Sequence, residues 1–252
     1  MASSTYETAH FILNKFMEAI DKNRQVNTLK KRDMEVFVDY CRKIGNKPVT
    51  INTGIRQMKA TFTKAVEWGY LKENPFKGYS LIKYQKEIPR YLTTEQIEKI
   101  FEVIDGNKIY RLLFAFYVYT GARRDEIKRL EWADVTADFV IIKKLKNYNF
   151  RKIPISGKLR EVLAEYKKGV GKIFAISSDQ LSHQFKHYFR KAGFGNIRLH
   201  DLRHTFASQL VMAGVELRAV QELLGHSDYA TTLIYAHLSK EHLKKAIEKL
   251  PY

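Results

Sequence analysis

Cysteine is almost missing from this 252-residue chain, where Cys41 stands alone. A disulfide framework and a cysteine-rich zinc site within the chain are both excluded, and a reducing compartment, the cytoplasm, is expected. Long apolar runs are lacking too. The longest, Leu112–Tyr119, falls far short of the roughly 20 residues a membrane span needs. The segment Met1–Phe16 has no basic stretch leading into an apolar one, so export is not expected. Acidic residues are in deficit. Against 44 Lys and Arg there are 27 Asp and Glu, a formal charge of +17.

Hydrophobic residues make up 45% of the chain, enough for real cores, which excludes a disordered tail protein. The length suits one or two domains. A folded domain gains nothing from strong like charge, because the charges repel. The usual reason for it is a polyanionic partner, a nucleic acid or an anionic membrane surface. A merely basic soluble protein is the plain alternative.

The first part of the chain reads as helices. Ile12, Phe16 and Ile20 recur at helical spacing. Val36, Phe37, Tyr40 and Ile44 repeat the pattern before Gly45, and Ile51, Ile55, Met58, Phe62 and Val66 form a third stripe before Gly69. Lys30, Lys31, Arg32, Arg56, Lys59 and Lys64 lie off these stripes. They are either a solvated face or the face of a small helical module that lies on a phosphate backbone. Asn74-Pro75 stops the helical pattern, and the basic, irregular stretch Lys77–Arg90 reads as a connection.

Thr93 followed by Gln96 is a capping box that opens a new helix near 94–104. The apolar run 110–119 follows. Phe139–Ile142 is expected to pair through a turn with Lys152–Ile155, and helices cover most of the remainder. Ser239 can cap a last helix over Lys240–Leu250, with Leu243, Ala246, Ile247 and Leu250 on one face.

Four groups of residues in the second half carry chemistry. They are Thr120-Gly121-Ala122-Arg123-Arg124-Asp125-Glu126-Ile127, then Lys146 in the hairpin turn, then His200-Asp201-Leu202-Arg203-His204-Thr205-Phe206-Ala207-Ser208, then Leu224-Gly225-His226-Ser227 with Thr231-Thr232-Leu233-Ile234-Tyr235-Ala236-His237. Taken singly, each has a bland reading: a structural arginine, a helix-capping Gly-His pair, one tyrosine of 15. Together, two arginines, two histidines, a lysine and a tyrosine make a phosphoryl-transfer kit that needs no metal.

In these groups the chain resembles the tyrosine recombinases, or phage integrase family, of the Xer and Cre type. The resemblance covers nearly the whole chain, and Trp68-Gly69-Tyr70-Leu71-Lys72-Glu73-Asn74-Pro75 looks like the usual end of that family's N-terminal core-binding domain. It implies a mainly α fold. Residues 1–85 would form a helical core-binding, DNA-binding bundle and 86–90 a linker. Residues 91–252 would form a mixed α+β catalytic domain with a small antiparallel sheet, the DNA breaking-rejoining enzyme fold. Together the two domains would clamp duplex DNA.

By the same resemblance, Arg123 and Arg203 clamp the scissile phosphate, and Tyr235 is the nucleophile. His200 takes the tyrosine proton, and His226 donates to a nonbridging oxygen. Lys146 protonates the leaving 5′ oxygen; Lys143 and Lys144 stay open as alternatives, because the turn departs from the family's glycine-containing version. Tyr229 is a competing nucleophile, better read as packing or a phosphate contact. The implied DNA-contacting residues of the first domain are Lys30, Lys31, Arg56, Lys59 and Lys64.

The chemistry accounts for the residue types. A free phenol has a pKa near 10, so roughly one in a thousand is ionised at pH 7, and neighbouring cations favour the phenolate. Arginines present planar donor forks to the phosphorane oxygens. Tyrosine attack gives a 3′-phosphotyrosyl bond and a free 5′ hydroxyl, keeps the bond energy, and requires no ATP, metal or other cofactor. The expected partners are double-stranded DNA carrying a recombination site and further copies of the chain in a tetramer around a Holliday junction, with an accessory protein as a further candidate and no membrane. A type IB topoisomerase and a catalytically silent integrase relic are the rivals. The target site is not legible, because groove contacts and DNA deformability set it.

Overall fold

The structure is a computed structural model that describes residues 3–85, 87–143, 150–166, 169–239 and 247–248. It separates into two compact units, residues 1–87 and 88–252.

Three helices build the first unit: α1 (Ser3–Ile20), α2 (Lys31–Lys43) and α3 (Pro48–Glu67). Their apolar faces meet in one core of Ile12 and Phe16, Met34, Phe37, Val38 and Cys41, and Ile51, Ile55, Met58 and Phe62. On α2 the buried face differs from the expected stripe: Val36 and Ile44 are exposed, because Met34, Phe37, Val38 and Cys41 recur at three-, four- and seven-residue spacing and make the continuous apolar face. Phe76 closes it from beyond α3, with its ring 4.8 Å from Phe62 and 5.5 Å from Phe16. The start of α2 is held by Asp33. Its Oδ2 accepts the Lys30 backbone N–H at 2.7 Å, and its Oδ1 pairs with Arg24 at 2.7 Å.

The stretch Lys77–Arg90, expected to be a connection throughout, is pinned at both ends. The buried Asn52 side chain brackets the backbone of Ile82, donating to its carbonyl at 2.9 Å and accepting from its N–H at 2.8 Å. Tyr79 and Ile82 pack on the first core. At the other end, Arg90 donates to the Asn196 carbonyl at 2.7 Å, within the second unit. A side-chain amide matched to both polar groups of one residue fixes a segment that has no helical or strand pattern to reveal it.

The second unit opens on α4 (Thr94–Ile104), with the Thr93–Gln96 capping box formed as expected. The apolar run becomes α5 (Lys108–Thr120), buried on nearly every side. A short helix α6 (Arg124–Ile127) leads to strands β1 (Phe139–Lys143) and β2 (Phe150–Pro154), then α7 (Gly157–Ala164) and α8 (Ser178–Lys191). Helices α9 (Asp201–Met212) and α10 (Leu217–Leu224) follow, and 3₁₀ turns at Tyr229–Thr231 and Leu233–Ser239 end the described fold apart from 247–248.

The two strands pair antiparallel, Phe139 opposite Pro154 and Ile142 opposite Arg151. The second strand therefore starts two residues earlier, and stops one earlier, than the sequence suggested. Alternation explains the difference: Arg151 and Ile153 face inward with Val140 and Ile142, while Phe150, Lys152 and Pro154 face out. An arginine at an inward position hides that pattern. Lys144 and Lys146, between the two strands in sequence, lie outside the described residues, as do Lys240–Ala246 and Leu250 of the expected last helix. Ile247, on that helix's apolar face, is exposed.

Candidate active site

Helix α9 runs through the middle of the site. It is buried along most of its length by Leu202, Phe206, Ala207 and Val211. Polar bonds fix its position as well: Thr205 Oγ1 accepts the Leu92 N–H at 3.0 Å, and Gln209 donates to the Leu92 carbonyl at 2.8 Å. His200, Arg203 and His204 stand three and four residues apart at its first turns, so they share one face. A helix N-terminus favours an anion through its free N–H groups and dipole.

Arg203 is only 3% exposed, and its guanidinium is locked by two helix ends. Nη1 donates to the Gly121 carbonyl at 2.6 Å and Nη2 to the Leu224 carbonyl at 2.7 Å. Both carbonyls sit where a helix turns off through a left-handed glycine, Gly121 after α5 (φ 59°) and Gly225 after α10 (φ 65°). A Cβ on Gly121 would lie 2.4 Å from the Phe206 ring, and one on Gly225 would lie 3.0 Å from Arg151 Cδ. Burial, and then the neighbouring Arg123 and Arg151, push the Arg203 pKa down to about 9, so it is still a cation at neutral pH.

Arg123 caps α6 and is partly open to solvent. Glu126 holds it twice, accepting the backbone N–H at 2.7 Å and Nη1 at 3.0 Å. The same carboxylate accepts both terminal nitrogens of Arg151, whose Nε donates to the Leu223 carbonyl at 2.8 Å. Burial would raise the Glu126 carboxyl, but the Arg151 bonds and charge, with help from Arg123, overturn that and hold it at about 2. The group is an anion at any working pH and fixes two arginines at once.

His226 follows Gly225, and its Nδ1 lies 2.9 Å from Thr232 Oγ1. Burial, then Arg203, Arg123 and Arg151, push its pKa down to about 4, so the ring is neutral. In the tautomer whose Nδ1 accepts from Thr232, Nε2 carries the proton and can donate it. His200 is the most open member, lowered by burial on one side and by Arg203.

Tyr235 lies in the last 3₁₀ turn and is 1% exposed, packed with Phe206, Ala207, Val211, Val220 and Leu224. Its hydroxyl lies 2.6 Å from Nδ1 of His204. Cations were expected to favour the phenolate. In the structure burial outweighs Arg203, and the phenol is pushed up to about 12. Tyr229, the competing nucleophile, is 40% exposed.

Arg203 thus acts on the ionisation of His200, His226 and Tyr235, and Arg123 on that of His200, Arg203 and His226, which places the five in one site. Lys146 lies outside the described residues. Lys143, one of its alternatives, pairs with the buried Asp134 at 2.6 Å. Glu126 and His204 stand in the sequence groups without a role there, and Arg151 stands outside them. Glu126 stands at capping distance from Arg123, and His204 one helical turn after His200; both spacings were signals. Nothing local marked Arg151. In the first unit, Lys30, Lys31 and Arg56 are exposed, Lys59 donates to the Tyr79 carbonyl at 3.2 Å, and Lys64 pairs with Glu67.

Comparison with known proteins places this arrangement. Residues 90–242 match the phage integrase family and residues 2–86 the phage integrase SAM-like domain. The tyrosine recombinase XerC of Bacillus licheniformis is 31% identical over 84% of this chain and 78% of its own. The tyrosine recombinase XerA of Pyrococcus furiosus is 30% identical over 98% of this chain and 88% of its own. The fold is shared with XerH site-specific recombinase bound to palindromic difH (TM-score 0.80, 24% identity, 98% of this chain and 80% of that one). It is also shared with the Tn1549 transposon integrase bound to circular intermediate DNA (0.76, 21%, 93% and 90%). Among the described residues no helix is long and apolar enough to cross a membrane. The chain belongs to the phage integrase family and is a tyrosine site-specific recombinase.

Proposed function

We propose that this recombinase binds duplex DNA at a specific site and breaks one strand through a 3′-phosphotyrosyl bond on Tyr235. It then passes the strand to a second duplex, and the exchange runs through a Holliday junction held by four copies of the chain. The observation that carries this reading is the placement of Arg203, buried, cationic and immobilised by two carbonyls, in the same site as the Tyr235 hydroxyl, Arg123, His200 and His226. A burial this costly for a cation makes sense when an anion is to be bound there. The phosphodiester is that anion. Arg123 and Arg203 neutralise the charge that grows on its nonbridging oxygens, and each preorganised donor of this kind is worth on the order of 10²–10³ in rate. Neutral His226 supplies a further donor. Lys146 is assigned the proton for the leaving 5′ oxygen, worth roughly 10²–10⁴ as a positioned acid. Lys30, Lys31, Arg56, Lys59 and Lys64 are assigned to the phosphate backbone, Lys59 and Lys64 after exchanging their present partners.

The test is to incubate the protein with a library of nicked duplexes from its own genomic neighbourhood, denature, and sequence what stays bound. A free 5′ hydroxyl and a tyrosine-linked 3′ end at one recurrent position are expected. Tyr235→Phe is expected to bind the same duplex but give no adduct. Adducts from the Phe variant overturn the assignment of the nucleophile. Relaxation of any supercoiled plasmid, with no recurrent site and no exchange, overturns the recombination reading in favour of a topoisomerase.

A further inference from the structure

Four residues after His200, one helical turn along α9, the His204 ring stands between His200 and Tyr235. Its Nδ1 is 2.6 Å from the Tyr235 hydroxyl. The ring meets the phenol at a centroid distance of 5.8 Å, and the His200 ring at 5.1 Å and 90°. The contact is not a rim accident, because the hydroxyl is enclosed, Tyr235 being buried against α9 and α10. It joins the atom that must lose a proton to a nitrogen that can take one, across 31 residues of sequence.

Resting on Tyr235 as the nucleophile, we propose that His204 is the proton acceptor of the cleavage step. As Tyr235 Oη attacks phosphorus, the Oη–H bond breaks and the proton passes to Nδ1. The new Oη–P bond forms while the P–O5′ bond breaks, and the 5′ oxygen takes its proton from the acid on the leaving side. Rejoining runs the same transfers backwards. A 5′ hydroxyl attacks and gives its proton to that acid's conjugate base, and Nδ1–H returns its proton to the departing phenolate. No oxidant, reductant or metal enters the balance.

The charge environment suits the role. The titratable groups around His204 are His200, Asp201 and Arg203 at the start of its own helix, Tyr235 from the last turn, and His226 from beyond α10, which is neutral. Burial first, then His200 and Arg203 against Asp201, hold the imidazole below its ordinary value. At neutral pH it is unprotonated and open to a proton. The phenol, pushed up by burial, is almost never ionised by itself. An acceptor already bonded to it removes that barrier only when attack begins, which protects the nucleophile between reactions.

The test uses the full chain and a nicked duplex carrying the site mapped with the unmodified protein, and reads the rate of adduct formation against pH. His204→Ala and His204→Gln are expected to be slower by about 10²–10⁴ at pH 7, with affinity for the duplex within twofold. Glutamine fills the space and accepts a hydrogen bond but is no base, so it stands in if the alanine variant folds poorly. The unmodified protein should lose rate on the acid side, at a pH below the ordinary imidazole value of about 6.5, because burial and its cationic neighbours lower His204. Both variants should lose that limb and instead gain tenfold per pH unit as hydroxide removes the phenolic proton. A glutamine variant at full rate, or variants with an unchanged pH profile, overturn the acceptor role. Faster adduct formation by His204→Ala also overturns it, and marks the bond as a latch. Adducts from Tyr235→Phe on the same duplex overturn the underlying reading instead, so the two failures are distinct.

Discussion

Glu126 and Arg151 face each other fork to fork, Oε1 to Nη1 at 3.0 Å and Oε2 to Nη2 at 2.7 Å, with both side chains 7% exposed. The pair ties strand β2 to the helix that carries Arg123. With the Arg151–Leu223 bond it also reaches the end of α10, next to the carbonyl that holds Arg203. Three separate segments of the site are therefore held by one ion pair.

Breaking that pair should cost both stability and activity. Glu126→Gln leaves Arg151 buried without a counterion, and the expected loss at pH 7 is about 3–5 kcal/mol. The pH dependence follows from the depressed carboxyl. The folded value is about 2, against an unfolded value of about 4.3. The contribution is therefore full above the unfolded value and is lost as pH falls toward 2. Urea unfolding at pH 7 and pH 3 checks it: the gap between the two proteins should narrow at the lower pH. An equal gap at both refutes the charge argument.

Gly121→Ala should strain the backbone at φ 59° and drive a Cβ to 2.4 Å from the Phe206 ring. A loss of about 1–3 kcal/mol is expected from the left-handed backbone alone. The Gly121 carbonyl also aims Arg203, so adduct formation should fall by roughly 10² through misplacement. Denaturant melts and adduct rates, measured where both proteins are folded, test the two effects. Unchanged cleavage would mean Arg203 does not depend on this carbonyl.

His226 should stay neutral in the DNA-free protein down to about pH 4, because burial and three guanidiniums oppose its charge. The unfolded chain takes up that proton near pH 6.5. Between those values the unfolded state binds more protons, so stability falls as pH drops through the window. A phosphate set among the arginines should raise the histidine. NMR titration of the His226 ring protons with and without a cognate duplex tests this, and identical midpoints would place the ring away from the phosphate.

The lysine assignment can be separated by a change in the leaving group. A 5′-bridging sulfur departs without protonation, so Lys146→Ala should recover on that substrate while Arg203→Ala should not. Lys143 is engaged by Asp134 at 2.6 Å, so Lys143→Ala should show no rescue. Rates on oxygen and sulfur substrates decide the register. Rescue of the Lys143 variant instead moves the acid to the end of β1.

Periodicity and short motifs made much of this protein legible from its sequence. The stripe of α3, the Thr93 capping box and the groups around Arg123, Arg203 and Tyr235 are local, and local spacing fixes which face a side chain takes. On α2 two apolar stripes competed, and packing chose Met34, Phe37, Val38 and Cys41 over the one through Val36 and Ile44. The charge excess is likewise a property of composition. Tertiary structure alone decided the partners. Asn52 claims Ile82 across 30 residues, Arg151 turns inward to meet Glu126 across 25, and His204 rather than His200 bonds to the Tyr235 hydroxyl. It also decided that burial outweighs cations at the phenol. Hydrogen-bond pairing and desolvation depend on what the remote chain brings to a side chain, and helical or strand periodicity carries no record of that.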